Sequence, residues 1–303
     1  YPLLQFQKKI YRQLKRKSES YAGRPSKLLL QYKKEYSLAS NREFSYSNQK
    51  DLLHNLLQNQ IVLIGDHHTF EQSQKNLIRI MKMLNRINIS FDVCLEMIPA
   101  IYQKNLDNYL DEQITEQEFL EEIKYKSTWI FPWTHYKKIF DFAKQKKIRI
   151  IALNSIGDLT QREKFAANLI VENVSKSNVL SLVLFGEYHL CSHYLPQKIS
   201  LKTMTIFQHM DEPYWKVENH KTSPIIQFSP SEFGIISSPP WLKYESTIYW
   251  YEHLYDDPDF DIHEYLIQTG LKTFNSSIHD SFLLVCLEIK KLLQFKISNK
   301  EIE

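Results

Sequence analysis

The chain has 303 residues and a formal net charge of +3, and 43% of its residues are hydrophobic. This apolar share supports a sizeable core and excludes an intrinsically disordered chain. No apolar run approaches the ~18–20 residues that a membrane-spanning helix needs. The three cysteines, Cys94, Cys191 and Cys286, are far apart and imply no disulfide framework. Composition therefore predicts a globular protein of one large domain or two ordinary ones.

The N-terminal 37 residues are strongly basic. They contain ten Lys or Arg and two Glu, a balance of +8, so the remainder of the chain carries −5. Such an arm is predicted either to contact an anionic surface, such as a membrane, a nucleic acid or an anionic ligand, or to be a solvated tether. Of these possible partners, nucleic acid is the one that we do not expect.

Four short apolar runs predict buried strands, with helical patterns between them. The runs cover residues 61–64, 93–95, 148–154 and 179–185. The clearest helix follows the first run, and its apolar face is formed by Leu77, Ile80, Met81 and Leu84. This alternation predicts an α/β fold with a largely parallel sheet flanked by helices. Right-handed crossovers would bring the four strand carboxyl ends to one edge.

The pattern changes after residue 202. Shorter strands are predicted at 203–208, 225–228 and 233–236, and helices at 247–255, 262–269 and 282–293. We therefore predict three parts: a basic helical N-terminal extension (1–45), an α/β core (46–215), and C-terminal strands and helices packed on the core (216–303).

Ionisable residues follow two of the strands in one pattern, which is glycine, acid, any residue, histidine. The two copies are Gly65-Asp66-His67-His68 and Gly186-Glu187-Tyr188-His189. The chain has only six glycines, and glycine permits a close backbone approach at a strand end. Glu96 ends a third strand. Ligands of open α/β sheets bind at the carboxyl ends of strands, so we predict that both motifs and Glu96 share one cleft.

Two histidines and a carboxylate are a common ligand set for a divalent metal with one open position. The predicted metal ligands are His68, Glu96 and His189. Asp66 and Glu187 are candidates for a further ligand, an orienting partner or a general base.

Further short motifs stand in a fixed order around these two. They are Leu95-Glu96-Met97 with Gln103, Tyr136 to Ala143, Arg162 to Ala166 and Ala167, and Leu190 with Pro196. The ordered set resembles the ChaN-like haem-binding uptake proteins of the Tiki superfamily, which includes TraB-like proteins and, more distantly, the erythromycin esterases. The resemblance covers about residues 51–210, and it departs from the family where Asp66 replaces a glutamate.

The resemblance implies a small-molecule ligand, haem or another iron-bearing group, held at the interface of a homodimer with a tyrosine as iron ligand. Tyr188 and Tyr102 both lie near the predicted edge, and the sequence does not determine which tyrosine binds iron. Trp129 and Trp133 would stack on the macrocycle. The sequence does not decide between a divalent metal and haem as the cofactor.

Two other functions are consistent with the sequence. In a metal-dependent hydrolase, Asp66 or Glu187 would activate water and Arg162 would stabilise the developing oxyanion. Alternatively, a non-catalytic interaction module would act through residues 216–303. The bacterial cytoplasm and the cell envelope are both compatible with the sequence. Because the sequence begins at Tyr1, an upstream signal or anchor stays an open alternative.

Overall fold

An eight-stranded sheet runs through the computed structural model, which describes residues 2–217 and 224–254. The strands are β1 (Ser45–Ser47), β2 (Ile61–Asp66), β3 (Phe91–Pro99), β4 (Ile150–Asn154), β5 (Leu180–Gly186), β6 (Thr203–Phe207), β7 (Ile225–Ser229) and β8 (Glu232–Ile235). Their order is β1-β7-β8-β6-β2-β5-β3-β4. Only the β1–β7 and β7–β8 pairs are antiparallel within this described part. The predicted α/β fold with a largely parallel sheet is confirmed.

Helices flank the sheet on both faces. They are α1 (Pro2–Tyr21), α2 (Lys27–Ser40), α3 (Gln49–Leu57), α4 (Gln72–Arg86), α5 (Gln103–Leu110), α6 (Glu116–Glu122), α7 (Tyr125–Thr128), α8 (Trp133–Lys146), α9 (Leu159–Ser177), α10 (Leu195–Lys198), α11 (Asp211–Lys216) and α12 (Trp241–Tyr249). Two short 3-10 helices cover Ala100–Tyr102 and Glu187–Leu190, and a π-helix, Trp250–Leu254, continues α12. The helices predicted at 262–269 and 282–293 lie outside the described residues.

The core has two layers because alternate residues of each central strand face opposite sides of the sheet. In β2, Val62 and Ile64 pack with the apolar face of α4, while Ile61 and Leu63 pack with α9. All four residues of the predicted apolar face of α4 are buried. The strand ends that carry the two motifs are therefore fixed by packing on both faces.

The N-terminal helix α1 packs against α12. Its Ile10, Tyr11 and Leu14 contact a smaller apolar cluster that includes Tyr214 and Trp241. In the part of the chain that the model describes, no helix is both long enough and apolar enough to cross a bilayer. The division of the chain into three parts stays a prediction.

The side chain of Gln103 covers the free edge of β4. Its amide nitrogen donates to the carbonyl of Ile150 at 2.9 Å, and its amide oxygen accepts from the backbone N–H of Ala152 at 2.8 Å. This pair of bonds reproduces what a neighbouring strand would form, so one side chain satisfies the backbone of an edge strand.

Candidate functional site

The two motifs meet at the carboxyl edge of the sheet. Asp66 at the end of β2 pairs with Gly186 at the end of β5 in the strand register. A cleft of about 580 Å³ opens above these strand ends. Its walls come from α1, α2, both motif loops, residues 130 and 131, α12 and the π-helix. A larger groove, of about 1340 Å³, lies between α5, α6 and α8 and contains none of the motif residues.

Three predicted side chains surround Gly186. A Cβ atom placed on this glycine would lie 3.2 Å from His189 Cδ2, 3.3 Å from Glu96 Oε2 and 3.5 Å from His68 Cε1. Any larger residue would crowd all three side chains, which explains the glycine. The structure therefore brings His68, Glu96 and His189 to one point, as the strand topology predicts.

His68 is oriented by the acid of its own motif. Its Nδ1 lies 2.9 Å from Oδ2 of the buried Asp66. Asp66 also accepts hydrogen bonds from the hydroxyl of Tyr136 at 2.8 Å and from the amide of Gln74 at 2.7 Å. Burial opposes charging of the imidazole, but the Asp66 carboxylate outweighs it and raises the pKa of His68. Asp66 thus acts as an orienting partner.

His189 is oriented by an acid that lies outside its motif. Its Nδ1 lies 2.6 Å from Oε1 of Glu163, a fully buried residue of α9. Glu163 also accepts from Tyr32 at 2.7 Å and from Lys198 at 2.6 Å. Burial works against ionisation of Glu163, but hydrogen bonds from His189, Lys198 and Tyr32 dominate and lower its pKa. Sequence analysis missed Glu163; the only signal was an acid one residue after Arg162.

The buried Glu96 forms an ion pair with the partly exposed Arg162. Arg162 Nη2 donates to Glu96 Oε1 at 2.6 Å, and Arg162 Nε donates to the side-chain oxygen of Asn154 at 3.0 Å. The other Glu96 oxygen accepts the backbone N–H of Gly186 at 2.7 Å. Both carboxylate oxygens are therefore engaged, and a buried carboxylate of this kind is balanced by its partners.

Glu187 faces away from His189 and toward the backbone. It accepts from the hydroxyl of Tyr36 at 2.5 Å and from the N–H groups of Gln208 at 3.0 Å and His209 at 2.9 Å. A Cβ atom on Gly65 would lie 2.7 Å from both Cγ and Cδ of Glu187. Burial raises the pKa of Glu187 although these hydrogen bonds oppose the change. Its catalytic role stays a prediction that these contacts do not favour.

The predicted cofactor-contacting aromatic residues occupy different places. Trp133 is buried in the core beside Phe119 and Phe140 and does not line the cleft. Trp129 is buried with its ring 4.5 Å from that of His68, so it contacts the site from behind. Tyr188 lines the cleft. Of the three, only Tyr188 is placed to touch a ligand, because the two tryptophans are held by core packing.

His67 joins the first motif to α12. Its Nε2 lies 3.0 Å from the hydroxyl oxygen of Thr247, which also lies 2.9 Å from that of Thr69. Burial, followed by the nearby Lys243 ammonium, lowers the pKa of His67 to about 3. His67 is therefore held neutral against α12, and its side chain also lines the cleft.

A divalent metal fits this arrangement poorly. Within residues 2–217 and 224–254, no three His, Cys, Asp or Glu side chains are placed to hold a metal ion. Each Glu96 oxygen already accepts one hydrogen bond, from Arg162 or from the Gly186 N–H, and the guanidinium would repel a cation beside it. At this point of the cleft, the described residues thus offer a metal two imidazole nitrogens, those of His68 and His189. The three-ligand metal site stays a prediction.

Comparison with known proteins finds one family model that matches part of the chain. The family model described as "Haem-binding uptake, Tiki superfamily, ChaN" matches residues 52–164. This segment is ChaN-like. The resemblance indicated by the motifs is thus confirmed, and the ChaN-like segment holds His68, Glu96 and Glu163, whereas His189 follows it. No curated protein matches the chain.

Solved structures similar to the chain include three at low identity. A structure titled "Cofacial heme binding to ChaN of Campylobacter jejuni" has 16% identity and a TM-score of 0.46, covering 65% of this chain and 97% of that one. The type III effector HopBA1 has 12% identity and a TM-score of 0.45, covering 64% and 95%. RRSP, a MARTX toxin effector domain from Vibrio vulnificus, has 17% identity and a TM-score of 0.36, covering 53% and 39%.

Proposed function

We propose that the cleft of this ChaN-like protein is a hydrolytic acid–base site operated by His68 and His189. One observation carries the proposal: both imidazoles have Nδ1 against a buried carboxylate, and both stand beside Gly186. A carboxylate only accepts hydrogen bonds, so each Nδ1 must carry the proton. In the neutral ring, Nε2 is then the basic nitrogen, as in acyl-transfer enzymes whose histidine is held by an acid.

The two histidines divide the proton transfers. The raised pKa of His68 favours its protonated form, which suits it to donate a proton to a leaving group. His189 takes the complementary role and removes a proton from water. Arg162, held by Glu96 and Asn154, has no hydrogen-bond partner on Nη1 among the described residues and offers that N–H to a developing oxyanion.

The test is hydrolysis of a panel of chromogenic esters and phosphoesters by the full chain in the presence of chelator. His68→Ala and His189→Ala should each lower kcat/KM by about a hundredfold or more, since general acid–base catalysis supplies roughly 10²–10⁴. The matched control is His54→Ala, which removes an exposed histidine of α3 and should leave the rate unchanged. Equal rates in all three variants, or no hydrolysis of any panel member, would refute the proposal.

The metal-dependent version makes a different prediction at Glu96. If His68, Glu96 and His189 hold a metal, Glu96→Gln should abolish metal uptake and leave folding intact. If the Arg162 pair is the main role of Glu96, the same change should cost about 3 kcal/mol of stability, because it leaves a cation without its buried partner. Metal analysis and urea unfolding of this one variant separate the two.

A second candidate function is binding of haem, favoured by the family model over residues 52–164. The cleft volume of about 580 Å³ falls within the range of small-molecule sites, and its mouth is lined by aromatic rings, among them Phe131, Tyr188 and Trp250. Haemin titration should then give a saturable Soret shift that Tyr188→Phe weakens and His54→Ala does not. An unsaturable titration would exclude this candidate.

A further inference from the structure

The outward face of α1 is a row of cations that have no carboxylate partner among the described residues. Lys9, Arg12 and Arg16 are exposed and spaced by three and four residues, so they share one side of the helix. None of the three forms an ion pair within the described residues, although Lys15 and Lys17 of the same helix do. The inner side of α1 is fixed on α12, which leaves the cationic side facing solvent.

The outward face of α2 combines cations with exposed leucines. Leu30 is 52% exposed and Leu38 is 62% exposed, and the exposed Lys27 and Lys34 lie on the same face within one turn of them. On the opposite face, Tyr32 and Tyr36 are buried and hydrogen-bonded to Glu163 and Glu187. The helix is therefore anchored from behind, and its apolar outer residues are not needed for that anchoring.

We propose that these outward faces of α1 and α2 dock on the surface of a lipid bilayer that carries anionic headgroups. Lysine and arginine are attracted to such a surface, and leucines beside them insert into the boundary between headgroups and acyl chains. Charge complementarity supports this occupant, since residues 1–37 carry ten cations and two glutamates. Nucleic acid would explain the cations but not the exposed leucines, because its affinity rests on phosphate contacts.

The proposal does not depend on the chemistry of the cleft. It concerns a surface that lies outside the ChaN-like segment of residues 52–164. It also explains why α1 and α2 support the site with their inner residues while their outer residues are both basic and apolar.

The test is co-sedimentation of the full chain with phosphatidylcholine vesicles, with and without phosphatidylglycerol. We expect binding only to the anionic vesicles and a loss of binding as salt rises. Replacing Lys9, Arg12 and Arg16 by Gln should weaken the partition coefficient by about a hundredfold, from ~1 kcal/mol per cation. Leu30→Ser with Leu38→Ser should weaken it by about tenfold.

Matched controls exist elsewhere on the surface. Gln substitutions at the exposed Lys82, Arg86 and Lys146 change the net charge equally, and Ile101→Ser with Ile156→Ser removes two isoleucines that are 78% and 98% exposed. Both controls should bind like the unmodified chain. Absence of vesicle binding, equal binding to neutral vesicles, or equal losses in the controls would overturn the proposal. So would tight binding to duplex DNA that the leucine substitutions leave unchanged, with weak vesicle binding.

Discussion

In the first motif, Asp66 accepts the Nδ1 hydrogen of His68 from its own loop, whereas in the second motif Glu187 turns away and Glu163 of α9 holds His189. The spacing from acid to histidine is the same in both. The backbone differs: Asp66 still belongs to the extended strand β2, while Glu187 begins a 3-10 helix. His68 lies in the turn that follows β2, whereas Glu187 and His189 both lie in the 3-10 helix, so each acid stands differently to the histidine of its motif. A repeated sequence pattern therefore does not imply repeated roles.

The two glycines offer the strongest way to break this comparison. Gly65→Ala would place a methyl group against Cγ and Cδ of Glu187, both 2.7 Å away, while Glu187 is held by three hydrogen bonds. We expect a loss of about 3 kcal/mol, from overpacking and from disturbing a buried charge. Gly186→Ala meets its neighbours at 3.2–3.5 Å and should cost less stability. Urea unfolding of both variants measures the difference, and equal losses would contradict the assignment.

The middle residues of the motifs also differ: both line the cleft, but His67 hydrogen-bonds to Thr247 of α12, whereas the ring of Tyr188 packs against Tyr36 of α2. The half-buried His67 stays neutral with a pKa of about 3, so the unfolded chain binds an extra proton once the pH falls below 6.5. Stability from this group is therefore complete above pH 6.5 and is lost as the pH falls. Between pH 6.5 and 4.5 the loss should be about 2 kcal/mol. Urea unfolding should show a smaller pH slope in His67→Gln, and an unchanged slope would contradict this account.

The strands and the parallel sheet were predictable because apolar runs and helical periodicity are local signals. The meeting of His68, Glu96 and His189 followed from the strand order alone. The partners of those residues were not predictable, because Glu163 and Tyr32 come from helices distant in sequence and reach the site only through tertiary packing. Trp133 is a different case: its predicted ligand contact stays a prediction, which its burial in the core does not favour.

The orienting acids give a smaller effect that sharpens the comparison. Asp66→Asn should lower the pKa of His68, because the imidazolium loses its nearby charge. Glu187→Gln should leave the pKa of His68 unchanged while costing about 1–2 kcal/mol of stability through lost hydrogen bonds. NMR titration of the His68 resonances and urea unfolding measure these two results. An unchanged His68 pKa in Asp66→Asn would show that Asp66 does not hold the imidazolium.

The contact between the first motif and α12 gives the smallest expected change. Thr247→Val keeps the side-chain volume but leaves His67 Nε2 and the Thr69 hydroxyl without this partner, which should cost about 1 kcal/mol. Ser246→Ala removes a longer contact to Thr69, 3.3 Å, and should cost less. Thermal unfolding ranks the two variants, and the reverse order would exclude His67 as the link.

The amide of Gln103 has a consequence for how molecules of this protein meet one another. Open sheet edges invite strands of other chains to add on, which is a route to aggregation. At β4 the carbonyl of Ile150 and the N–H of Ala152 are already bonded to Gln103, so an approaching strand finds neither group free at that position. One side chain thus protects the concentrated protein from growth of its sheet across molecules.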